Sequence, residues 1–93
     1  MIHKNIIKIR KKLDLLDNKF LDLIKKRTNL VNQVLSTKKF KNQIVDKKRI
    51  KFILNQIRKK SIQNKIDPKI TNRIWRNMIY SYIDYERRNF KKK

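Results

Sequence analysis

Glycine and cysteine are both absent from this 93-residue chain, and proline occurs once, at Pro68. Without glycine, tight turns and left-handed helix ends are hard to form, so few elements joined by short connections are expected. The absence of cysteine excludes disulfides and thiolate metal sites and suits a reducing compartment, read here as the cytoplasm. The only histidine, His3, sits at a loose terminus, which removes a Ser/His nucleophilic pair. No carboxylate cluster is available to hold a metal, and no glycine loop to cradle phosphates; neither a metal nor a cofactor is expected. There is no signal-peptide core and no apolar run long enough to span a bilayer, so no membrane association is expected.

The length leaves room for one domain, residues 1–93. Against 28 Lys and Arg stand only 7 Asp and Glu, a formal net charge of +21 that raises nucleic acid or an anionic membrane as a partner. Two features weigh against that reading. The basic residues are mostly lysine spread along the whole chain, and they accompany abundant Ile and Asn, as AT-rich codons would dictate. A solvated lysine coat accounts for most of the charge. A basic helical nucleic-acid-binding protein stays as the alternative from another functional class; its mark would be cations gathered on one exposed face.

The chain also contains a long helical stripe with cations in it. From Ile6 the apolar positions run Ile9, Leu13, Leu16, Phe20 and Leu23, in alternating steps of three and four, which is one face of a continuous helix. The next steps supply Arg27, Leu30, Val34 and then Lys38. Arg27 and Lys38 are thus long cations aimed into an apolar seam. Snorkelling would explain either one alone. Together, with a third anomaly in the last helix, they favour a buried anion site, because an unpaired desolvated charge costs several kcal/mol.

The first helix is expected over about residues 5–38, roughly 50 Å at 1.5 Å per residue. A compact domain of this size is only about 30 Å across. One copy of the chain cannot cover such a helix, and a two-fold dimer is the commonest solution. Residues 39–45 form a short polar connection. Asp46 then caps or opens a second helix, whose stripe is Ile50, Ile53, Leu54 and Ile57. Residues 61–66 form the next loop, and Asp67-Pro68 starts a third helix with Ile74, Trp75, Met78, Ile79 and Tyr82 inward. The tail at 87–93 is expected to fray. The fold class is all-α: a three-helix chain with a long first helix, forming a helical homodimer.

One step past the row Trp75, Ile79, Tyr82 lies Glu86, the only glutamate in the chain. Arg10 flanks the seam near the start of the first helix, and Arg49 sits beside the stripe at the start of the second. Arginine binds a carboxylate bidentately, whereas lysine offers one mobile point charge. Several Arg, one Lys and one Glu in a helical pocket suit a small molecule bearing two carboxylates and an ether or hydroxyl oxygen.

The order Ile9-Arg10, Asp14, Leu16-Asp17, Leu23-Ile24, Arg27, Leu30-Val31, Lys38, then Val45-Asp46 with Arg49, resembles the all-helical class of chorismate mutase. The resemblance covers about residues 6–88. It implies an interlocked dimer in which each site takes Arg10 from the other chain. By that likeness Arg27 and Arg10 hold the substrate's carboxylates with Arg49 nearby, Asp46 lies near the ring hydroxyl, and Lys38 and Glu86 flank the ether oxygen. The implied reaction is chorismate to prephenate, a step of aromatic amino acid biosynthesis. It is unimolecular and rests on positioning and electrostatic stabilisation. Three positions depart from the family's pattern: Ile50 stands where a glutamate is usual, Tyr82 where serine is common, and Glu86 where glutamine is common. Ile50 with Tyr82 resembles the related isochorismate pyruvate lyases, which keep this fold and form the alternative enzymatic reading.

Overall fold

A computed structural model describes residues 2–91 and is all-helical: α1 (Ile2–Thr37), α2 (Lys47–Gln63) and α3 (Pro68–Asn89), with a 3-10 turn at Lys41–Gln43. No strand occurs among the described residues. The 36 residues of α1 make a helix about 54 Å long. The chain divides into two compact units, Met1–Gln33 and Val34–Lys93.

The first unit is the greater part of α1. It forms because nothing in its sequence interrupts a helix, and its wet faces carry neighbouring charges such as Asp22 and Lys26, paired at 3.2 Å. Such an exposed pair adds only about 0.3–0.5 kcal/mol. The apolar row is present as the periodicity demands, yet it is open to solvent, from 38% exposed at Ile6 to 62% at Leu23. The helix has the face of a core element without a core over it.

The second unit holds the buried apolar side chains. Leu35, Ile44, Ile79 and Ile83 form its centre, with Val45, Ile50, Ile53, Leu54 and Phe90 packed around them. The connection after α1 is therefore not merely polar, since Ile44 within it is 4% exposed and anchors the turn. Both later helices start where the sequence places them. Asp46 Oδ1 accepts from the Arg49 amide at 3.0 Å, and Asp67 Oδ1 from the Lys69 amide at 2.9 Å, with Pro68 opening the first turn.

Two boundaries differ from expectation. α2 does not stop before Ser61 but continues to Gln63. Ser61 is buried there, donating to the Ile57 carbonyl at 2.6 Å and paired with the Thr71 hydroxyl at 2.7 Å, which joins α2 to α3. α3 carries Arg87 and Arg88 in regular helix to Asn89, and Phe90 packs on the core; of the tail expected at 87–93, Lys92 and Lys93 lie outside the described residues. α2 ends with Lys65 at φ 58°, the left-handed position that glycine usually takes. The amides of Lys65 and Ile66 bond back to the carbonyls of Ile62 (3.1 Å) and Ser61 (2.8 Å), a Schellman closure built without glycine.

Candidate functional site

Lys38 is the first residue after α1, and its amide still bonds to the Leu35 carbonyl at 3.1 Å. Its ammonium lies 3.0 Å from Glu86 Oε1 near the other end of the unit's chain, with side chains 16% and 9% exposed. A second, long contact of 3.5 Å runs to the Ile44 carbonyl. Glu86 is thus not a solvated helix-end residue. Ile79 and Ile83, two turns and one turn earlier on α3, are both buried, and the same face carries Glu86 inward. An ammonium has three hydrogens, so after these two contacts one remains for a ligand.

Asp46 and Lys38 line one open cleft of about 740 Å³, together with Asn42, Gln43 and Val45. One oxygen of Asp46 is committed to capping α2. Arg49 is exposed, its guanidinium 5.4 Å above the Phe52 ring, a cation–π geometry that holds the fork at the start of α2. Tyr82 is half-buried and meets Tyr85 edge to face at 6.2 Å between ring centres. Ile50 is half-buried and shares a cavity of about 660 Å³ with Val45, Leu54, Tyr80 and Ile83, an apolar wall where a carboxylate would have been a hydrogen-bonding one.

The remaining two cations belong to the first unit. Arg27 is half-buried with its Nε out of reach of solvent, whereas Arg10 is exposed. They stand 17 residues apart on one uninterrupted helix, hence about 25 Å along its axis. Among the described residues, no group of three or more His, Cys, Asp or Glu forms a metal cluster, and no helix is long and apolar enough to cross a membrane. The structure brings Lys38 and Glu86 into direct contact and places Asp46 on the same cleft as Lys38. Sequence periodicity did not register Gln43, whose side-chain oxygen accepts the amides of Lys39 and Phe40 at 2.7 and 2.9 Å. The only available signal was a glutamine three residues after Phe40, the second half of a capping pattern.

The family described as chorismate mutase type II matches residues 9–87. A chorismate mutase of Methanocaldococcus jannaschii is 39% identical over 83 residues, covering 85% of this chain and 80% of that protein. No solved structure matches the chain.

Proposed function

Because the chain belongs to the chorismate mutase type II family, we propose that it is an isomerase converting chorismate to prephenate in two shared sites of a homodimer. The observation that carries the mechanism is the Lys38–Glu86 pair, 3.0 Å apart and largely out of solvent. In this rearrangement a carbon–oxygen bond breaks while a carbon–carbon bond forms within one molecule, so no nucleophile, metal or redox partner is required. Negative charge develops on the departing ether oxygen. A donor fixed in advance stabilises that charge without reorganising, an effect worth about 2.7–4 kcal/mol for a single donor. Lys38 supplies the donor, held in place by Glu86 and the Ile44 carbonyl. Glu86 accepts at Oε1 and thereby fixes where the ammonium stands.

Arg27, Arg10 and Arg49 are assigned to the substrate's carboxylates, Asp46 to its ring hydroxyl, and Tyr82 to the wall of the site. A separation of about 25 Å along one helix keeps Arg10 and Arg27 of the same copy from gripping one small dicarboxylate. The assignment therefore takes Arg10 from the second copy. The solvent-open apolar row of α1 supports the same arrangement, since a second copy provides the cover that one chain lacks. The test supplies purified protein with chorismate and, separately, with isochorismate. Prephenate from chorismate is the expected product. Pyruvate and salicylate from isochorismate, with chorismate untouched, would replace the mutase reading by the lyase one and make Ile50 and Tyr82 its determinants.

A further inference from the structure

The ammonium of Lys38 projects from a residue that no helix holds on its C-terminal side: α1 ends at Thr37, and Lys39 and Phe40 follow without regular structure. Their two amides lie beyond the helical ladder and need acceptors. Both find the same atom, Gln43 Oε1, at 2.7 and 2.9 Å. A carbonyl oxygen has two lone pairs, so one side chain can satisfy both. The main chain closes the turn from the other direction, with the Gln43 amide on the Phe40 carbonyl at 3.0 Å and the Ile44 amide on the Lys41 carbonyl at 3.2 Å. The far end of this turn is Ile44, whose side chain is in the core and whose carbonyl faces Lys38 Nζ.

We propose that Gln43 is a positioning residue for Lys38: its side-chain oxygen locks the turn that fixes where the ammonium stands. The inference rests on the reading that Lys38 stabilises charge on the substrate. Gln43 is exposed, and so are Lys39 and Phe40. Water can take the two amides if Gln43 is lost, so the fold should survive. The ammonium's placement should not, and a 1 Å error in a catalytic group can lower the rate about 100-fold.

The experiment compares Gln43→Leu, Gln43→Asn and Gln43→Glu, each also in a Lys38→Ala background, with steady-state kinetics and thermal unfolding recorded in parallel. Gln43→Leu is expected to lower kcat about tenfold or more with KM little changed. Gln43→Asn, too short to reach both amides, should behave like Gln43→Leu and stands in for it if the leucine variant does not fold. Gln43→Glu keeps a two-lone-pair oxygen at the right reach and should restore most of kcat. In the Lys38→Ala background, Gln43→Leu should have no further effect, because the group it positions is gone; an effect on structure alone would persist there. Wild-type kcat in Gln43→Leu, no rescue by Gln43→Glu, or an undiminished loss in the Lys38→Ala background would each overturn the inference. Wild-type turnover by Lys38→Ala alone would instead overturn the functional reading beneath it.

Discussion

Removing Lys38 separates what the buried pair does for the fold from what it does for the reaction. In Lys38→Met the ammonium is replaced by an apolar chain of similar length, and Glu86 is left with its side chain only 9% exposed. Stripping one partner from a buried pair destabilises by about 3–5 kcal/mol. Lys38 retains 16% exposure, so water reaches its place and the lower end, about 3 kcal/mol, applies. At about 4 °C per kcal/mol, the low end for a chain of this size, Tm should fall by about 12 °C, at fixed protein concentration because assembly shifts Tm. The lost donor should lower kcat about 100- to 1000-fold. The double variant Lys38→Met/Glu86→Leu replaces the pair by apolar groups, a change that is often neutral or stabilising. It should regain most of the lost Tm and none of the turnover. Scanning calorimetry and prephenate formation measure the two quantities on the same samples. Wild-type kcat in Lys38→Met, or activity returning with stability in the double variant, would refute the assignment of Lys38 to the chemistry.

Arg10→Ala and Arg27→Ala should each give a folded dimer with little activity, and mixing the two should restore about a quarter of wild-type turnover. Half the dimers are then mixed, and one of their two sites draws both arginines from intact positions; no recovery on mixing would place Arg10 and Arg27 in the same copy's site. Glu86→Gln keeps an oxygen that accepts from the Lys38 ammonium and should retain most turnover, whereas Glu86→Leu removes that acceptor and should lower kcat about tenfold or more. Wild-type kcat in Glu86→Leu would remove Glu86 from the site. Lys65→Gly should raise stability by about 0.5–1 kcal/mol by relieving the left-handed φ; an unchanged or lower midpoint in denaturant titration would show that the Schellman closure already absorbs that strain.

The periodicity of residues 6–34 was enough to read α1, and the cations Arg27 and Lys38 stood out because they broke it. Asp46 and the Asp67-Pro68 pair marked helix starts by their own capping chemistry, and the structure places both carboxylates on the expected amides. What escaped was set by contacts distant in sequence or confined to a turn. Ser61 looked like the start of a loop because a serine in a helix is locally indifferent; its partner Thr71, ten residues on, buries it. Ile44 and Val45 were an isolated apolar pair among polar neighbours, with no period to reveal that Ile44 anchors the core. Glu86 could equally have faced water, and only the packing of Ile79 and Ile83 beside it decides the matter.

In the proposed homodimer the open apolar row of α1 lies on a chain of net charge +21, and this would set how fast two copies meet. Their encounter begins between strongly like-charged bodies. Long-range repulsion should hold the association rate below the roughly 10⁵–10⁶ M⁻¹s⁻¹ of neutral partners. Screening at physiological ionic strength reaches in to about 8 Å, so added salt should speed pairing even though the contact it leads to is apolar. In stopped-flow refolding the second-order phase should therefore accelerate with ionic strength, the reverse of what an interface of opposite charges would show. On that reading the lysine coat is a kinetic brake, one that would space newly made chains while their seams are still bare.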